Sequence, residues 1–147
     1  MIKISRLADY AVVILSALAG QPEHSASASA LAEATGLPEP TVAKVLKALV
    51  RAEILDSVRG AAGGYHFKAE PEKLSVADIV TAIDGPIALT SCVEPESGDC
   101  SISGRCALNG RWDVVNDAVR SCLEQITLSA MMGMGCTAGC SKTAKGS

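Results

Sequence analysis

The sequence predicts a mainly α fold with one small β-hairpin and a long helix near its C-terminal end. Apolar residues make up 48% of the chain and aromatic ones only 3%, which favours helices packed through Ala, Val, Leu and Ile over a sandwich with an aromatic core. Apolar positions recur at helical spacing in most segments. A single pair of β-prone runs, Ile54–Val58 and Gly64–Phe67, flanks a tip of small residues. At 147 residues the chain suffices for one domain, or for a small domain with an association element.

The first helix is expected over residues 5–19. Ser5 can cap it, and Leu7, Tyr10, Ala11, Ile14, Leu15 and Leu18 form its apolar stripe, which Gly20-Gln21-Pro22 ends. Asp9 lies opposite the centre of that stripe, where a solvated carboxylate is the plain interpretation. Two further helices follow, Ala28 to Thr35 and Glu39 to Ala52, joined by Gly36-Leu37-Pro38; Pro40 suits a first turn. In the second, Val42, Val45, Leu46 and Leu49 face inward while Lys44, Lys47 and Arg51 fall on the other side. That arrangement fits a helix-turn-helix or an ordinary helical hairpin with a solvated basic face.

The hairpin that comes next favours the first alternative. Its tip, Arg59-Gly60-Ala61-Ala62-Gly63, directly follows the basic helix and so has the place of a wing. Gly60 and Gly63 allow close backbone approach to phosphates, and Arg59 can enter a minor groove or grip the backbone. Thr41, at the start of the basic helix, faces the major groove in such a fold, with Lys44 and Lys47 beside it. After a connector at Glu70-Pro71-Glu72, Ser75 and Asp78 resemble a capping box for a helix that stops at Asp84-Gly85-Pro86.

Cys92, Cys100 and Cys106 then stand separated by seven and five residues, among Pro, Gly, Ser, Asp and Glu. Little in this loop can form a core, so something else must order it. Thiolates favour zinc, copper(I) or iron–sulfur iron over magnesium or calcium. Leu108, Trp112, Val115, Val119, Cys122 and Ile126 alternate four and three apart, an a/d seam that calls for a partner helix. The Gly-rich tail carries Cys136 and Cys140, spaced for a metal, a disulfide or two free thiols. The expected organisation is thus a winged helix-turn-helix domain over residues 1–86, a cysteine loop over 87–107, a dimerisation helix over 108–131 and a flexible tail over 132–147.

No apolar run approaches the roughly 18–20 residues of a membrane span, and Asp9 interrupts any secretory signal. The chain therefore reads as cytoplasmic, where cysteines serve metal or redox chemistry more than disulfides. A formal charge of −3 does not advertise nucleic-acid binding, but a local basic patch matters more than the total. No nucleophile–base pair, phosphate loop or paired acid–base carboxylate points to an enzyme.

Several strings together resemble the Rrf-type winged-helix regulators, which include IscR, NsrR and the SUF-operon regulators. They are Ile4-Ser5-Arg6-Leu7-Ala8-Asp9-Tyr10-Ala11, Leu37-Pro38-Glu39-Pro40-Thr41-Val42, Ser57-Val58-Arg59-Gly60-Ala61-Ala62-Gly63-Gly64-Tyr65 and Ile83-Asp84-Gly85-Pro86-Ile87. The resemblance covers roughly residues 1–131, and the run from Asp84 to Cys92 is most similar to regulators of SUF-type cluster assembly. It implies a homodimer joined by its C-terminal helices and a [2Fe–2S] or [4Fe–4S] cluster on Cys92, Cys100 and Cys106. Where IscR-type members carry a histidine three residues beyond the third cysteine, this chain has Asn109. NsrR-type members use an aspartate from the partner subunit's first helix, and Asp9 holds the matching position; Glu94, Glu96 and Asp99 are local competitors.

The function expected on that basis is a cluster-sensing repressor of iron–sulfur assembly genes that binds a palindromic DNA operator as a homodimer. Thr41, Lys44, Lys47, Arg59, Gly60 and Gly63 would meet the duplex, with Arg6 adding a phosphate contact. The alternatives are a zinc-bound or cluster-free winged-helix regulator whose thiols sense oxidants, and an iron–sulfur carrier, for which a basic helix and a wing have no use.

Overall fold

The computed structural model describes residues 2–61, 63–94 and 100–133. Helix α1 (Arg6–Ala19) begins where Ser5 turns extended and its Oγ accepts the Ala8 N–H. This satisfies one of the orphan donors of a helix start. Its buried face is Ala8, Ala11, Ile14, Leu15 and Leu18, with Leu7 and Tyr10 half-buried at the margins. Ser27 caps α2 (Ala28–Thr35) through the Ala30 N–H, and Gly36 ends it at φ +72°, a left-handed conformation that suits glycine. Helix α3 (Glu39–Arg51) starts on Pro38, whose carbonyl takes the N–H groups of both Thr41 and Val42.

The expected hairpin forms as β2 (Leu55–Val58) and β3 (Gly64–Phe67), in antiparallel register from Leu55–Phe67 to Val58–Gly64. A third strand, β1 (Ser25–Ala26), pairs with the other edge of β3, giving the order β1-β3-β2. Two residues carry no alternation, so β1 is invisible in the sequence. Its trace is Gly64, where an added Cβ would lie 2.7 Å from the Ala26 carbonyl oxygen. Helix α4 (Val76–Asp84) opens with a complete capping box between Ser75 and Asp78.

The helix expected over residues 108–131 is shorter and divided. Gly110, at φ +76°, delays its start, so that α5 spans Trp112–Glu124. Beyond it the chain turns extended and pairs with the start of α4. The Val76 N–H donates to the Ile126 carbonyl and the Leu128 N–H to the Leu74 carbonyl, each at 2.8 Å, around an antiparallel Ser75–Thr127 bridge. Thr127 then caps a last turn, α6 (Leu128–Met131), by accepting the Ala130 N–H. A threonine hydroxyl competes well for backbone donors at a cap, and that outweighs the heptad pattern here.

One core results. Ala11, Ile14, Leu15 and Leu18 of α1 meet Leu31 of α2, the stripe Val42, Val45, Leu46 and Leu49 of α3, Leu55 of β2, Ile79 of α4 and Leu128 of α6. Leu128 thus ties the end of the described chain to the first helix. Leu128→Ala should destabilise the protein by about 2–5 kcal/mol, the range for removing a buried leucine from a core, read as a lower urea midpoint with an unchanged m-value.

Candidate nucleic-acid interface and cysteine site

Helix α3 buries its apolar stripe on the core and turns Lys44, Lys47 and Arg51 to solvent; Thr41 is half-buried at its start. The hairpin leaves the end of this helix after a tight turn in which Ile54 N–H returns to the Leu49 carbonyl. This places the wing beside the exposed face of α3. The tip closes by a Gly63 N–H bond to the Gly60 carbonyl at 2.9 Å. Gly60 has φ +114°, and a Cβ on Gly63 would stand 2.2 Å from the Val58 carbonyl oxygen. Both glycines are therefore required by the turn itself, whatever the wing touches.

Between helix and wing lies a shallow groove lined by Lys47, Arg51, Ser57, Arg59 and Tyr65, with no carboxylate in its lining. The ion pairs among the described residues are Lys68–Glu53, Lys73–Glu70 and Arg120–Glu124, so the cations of this groove are not spent on neighbours. A chain of net charge −3 thus concentrates positive charge on one concave surface, the footprint of a phosphate-binding face. Arg51 belongs to this groove although the sequence offered only its place on the basic side of the helix. Arg6 does not: it lines a separate groove with Asp9, Val80 and Met131.

The cysteine segment departs from α4 at Gly85, whose φ of +87° again suits glycine, and runs along α5. There Asn116 is 4% exposed; its Nδ2 donates to the Ile87 carbonyl at 2.9 Å and its Oδ1 accepts the Leu89 N–H at 3.0 Å. Thr90 Oγ1 and Cys92 Sγ are 3.1 Å apart. Cys92 is exposed, Cys100 and Cys106 are half-exposed, and all three are free thiols, as is the exposed Cys122. Among the described residues no three Cys, His, Asp or Glu side chains converge into a group able to hold a metal. The donor set thus fits a soft metal or an iron–sulfur cluster in chemistry, while this conformation of the loop does not gather it. Glu94 is exposed on the same segment, whereas Glu96, Asp99, Cys136 and Cys140 lie outside the described residues.

Asp9 is exposed on the first turn of α1 and makes no part of a gathered site in this chain. The start of α1 is nevertheless tied to the cysteine segment. Ser5 Oγ, while capping α1, donates to Asp84 Oδ1 at 2.7 Å. Asp84 ends α4, where a carboxylate opposes the helix dipole, but it sits at the N-terminus of α1, where one is favoured. Neither Asn116 nor the Ser5–Asp84 contact was foreseen from the sequence. A polar residue near the middle of a helix of poor-propensity neighbours was the only available sign of the former.

Most seam residues of α5 are uncovered among the described residues. Trp112, Val115 and Cys122 are exposed, with Leu108 and Ile126 beyond the helix ends, and Val119 is half-buried; Val114 adds a further apolar side chain at 74% exposure. Among the described residues no helix is long and apolar enough to cross a membrane.

Comparison with known proteins agrees with this layout. The family model Rrf2, described as an iron-dependent transcriptional regulator, matches residues 4–133. CymR of Bacillus subtilis is 30% identical over 127 residues, 86% of either chain. The solved structure of CymR, the global cysteine regulator of B. subtilis, superposes with a TM-score of 0.67 at 26% identity, over 92% of this chain and 100% of that one. NsrR of Shouchella clausii is 24% identical over 131 residues, 88% of either chain. The structure of T. potens IscR gives a TM-score of 0.62 at 26% identity, over 90% of this chain and 87% of that one.

Because Ser5 serves both α1 and Asp84, Ser5→Ala should cost about 0.5–2 kcal/mol, the range for a lost N-cap. The loss should shrink when Asp84→Ala is already present, as a double-mutant cycle of unfolding free energies would register.

Proposed function

The chain belongs to the Rrf2 family and is a DNA-binding transcriptional regulator, and from that premise we propose that it is gated by an iron–sulfur cluster. In this reading Cys92, Cys100 and Cys106 hold a [2Fe–2S] or [4Fe–4S] cluster, and Asp9 of the partner subunit supplies the fourth ligand. The regulated genes are those of SUF-type iron–sulfur assembly, which the protein represses. The observation that carries the proposal is the loop itself: three free thiols on a segment rich in Gly, Ser and acidic residues, held at its stem, with none of its described residues in the core.

The remaining roles follow from the surfaces. Thr41, Lys44, Lys47, Arg59, Gly60 and Gly63 meet the duplex, joined by Arg51, while Arg6 contacts phosphate only if the duplex extends past α1. Trp112, Val115 and Cys122 pack on a second copy, so that two heads face a palindromic operator at a spacing of about one helical turn (~34 Å) or a multiple of it. A cluster bound by three thiolates and one oxygen ligand would supply a redox-active iron less protected than the others. Cys92, Cys100 and Cys106 would hold it on the loop between α4 and α5, whose stem Asn116 binds. Asp9 would reach it from the partner's first helix, so that binding the group would couple this loop to that helix. Such coupling typically amounts to about 1–3 kcal/mol, enough to alter operator occupancy. The likeness to CymR, a cysteine regulator, supports a second reading in which the same thiols bind zinc or respond to oxidants directly.

Anaerobically prepared protein should show visible iron–sulfur absorption with matching iron and sulfide, and Cys100→Ala should abolish it. One zinc per chain without sulfide would instead establish the second reading. In a DNA-binding titration, Lys47→Ala should weaken binding to all sequences alike and reduce the magnitude of the salt slope by about one. A loss confined to one operator sequence would move Lys47 from phosphate to base recognition.

A further inference from the structure

Among the described residues the buried polar side chains are Ser75 and Asn116. Ser75 is spent on the capping box of α4. Asn116 has no such local duty, and asparagine is a poor residue for a helix interior. A buried carboxamide is costly unless its hydrogen bonds are made, so its place in α5 needs a tertiary reason. Its two bonds supply one. The Ile87 carbonyl and the Leu89 N–H flank Ala88, the pair that a residue of a neighbouring parallel strand would engage. Asn116 thus binds the backbone on either side of Ala88 and ties residues 87–89 to α5. Cys92 follows three residues later, within reach of that constraint, and its Sγ already contacts Thr90.

We propose that Asn116 is a positioning residue for the cysteine site, fixing the loop stem and thereby where Cys92 stands. This rests on the reading that Cys92, Cys100 and Cys106 hold an iron–sulfur cluster. Asn116 touches no ligand itself; it acts on the ligand loop as outer-shell hydrogen bonds act on metal ligands elsewhere.

The test compares wild type with Asn116→Asp and Asn116→Gln. The Asp variant keeps an acceptor for the Leu89 N–H but cannot donate to the Ile87 carbonyl; the Gln variant keeps both functions displaced by one methylene. After anaerobic reconstitution with iron and sulfide, visible absorption is followed as a chelator removes the iron. The Asp variant should lose its absorption about tenfold to a hundredfold faster than wild type, the usual scale for a lost outer-shell partner, with the Gln variant between them. The apo Asp variant should melt lower than wild type, since it buries a carboxylate and leaves the Ile87 carbonyl unpaired. Leu128→Ala, destabilised away from the loop, therefore serves as the control: it should keep the wild-type rate of cluster loss, which a purely structural role for Asn116 would not allow.

Equal rates of cluster loss in a folded variant overturn the inference, as does a loss that merely tracks a lowered melting temperature. Should wild type take up no iron and sulfide, the cluster reading fails separately, and cobalt(II) decides the role of Asn116 through its thiolate charge-transfer absorption. Weaker cobalt binding by the Asp variant upholds the inference. Equal affinity, or no thiolate–cobalt absorption in either protein, overturns it.

Discussion

The apolar face of α1 formed by Ala11, Ile14, Leu15 and Leu18 is wholly removed from water; α2, α3, α4, α6 and β1 pack directly on this helix, while the hairpin and α5 are placed at one remove, through α3 and α4. Full burial of a side chain such as leucine or isoleucine contributes roughly 1.5–3 kcal/mol, more than the roughly 0.5–1.5 kcal/mol net of a typical hydrogen bond. The stripe of α3 therefore decides which side of that helix is left for Lys44, Lys47 and Arg51. The same core accepts Leu128, so the segment following α5 is anchored to the helix that opens the fold. Polar contacts then refine what burial has placed.

Two surfaces emerge with opposite chemistry. One is the groove between α3 and the wing, cationic and free of carboxylates in a chain whose total charge is negative. The other is the cysteine segment, which reaches the rest of the molecule through backbone groups bound by Asn116 and through Asp84 bound by Ser5. The segment is thereby attached at its stem, and none of its described residues enters the core. Because Ser5 also caps α1, the stem of this segment and the first helix share an anchor.

Much of the helical plan was plain from the chain. Ser5 and Ser75 cap the helices they precede, as expected, Ser27 does the same for α2 without having been singled out, and the inward positions of α1 and α3 are those the 3.6-residue period marks. The wing was legible because its register is set by a short tip whose glycines the turn demands. By contrast, β1 escaped notice because its two residues owe their pairing to β3, and Gly64 signals the approach only once the approach is known. The heptad spacing suggested one helix from Leu108 onward, yet Gly110 and Thr127 divide that stretch, since local caps and a distant partner strand outweigh periodicity at helix ends. Within the groove Lys47 and Arg59 were foreseen, while Arg51 joins them only because the wing folds back beside the end of α3.

By itself, then, the sequence determined which residues are inward, where most helices begin, and that three thiols share a loop unable to form a core. Those properties are local: periodicity, capping chemistry and composition act over a few residues. Only the tertiary structure decided that Ile126–Leu128 returns to the start of α4, that Asn116 clamps the loop stem, that Asp84 meets Ser5 and that Arg6 stands apart from the basic groove. Each of these depends on groups far apart in the chain, whose meeting is fixed by how the shared core closes around α1.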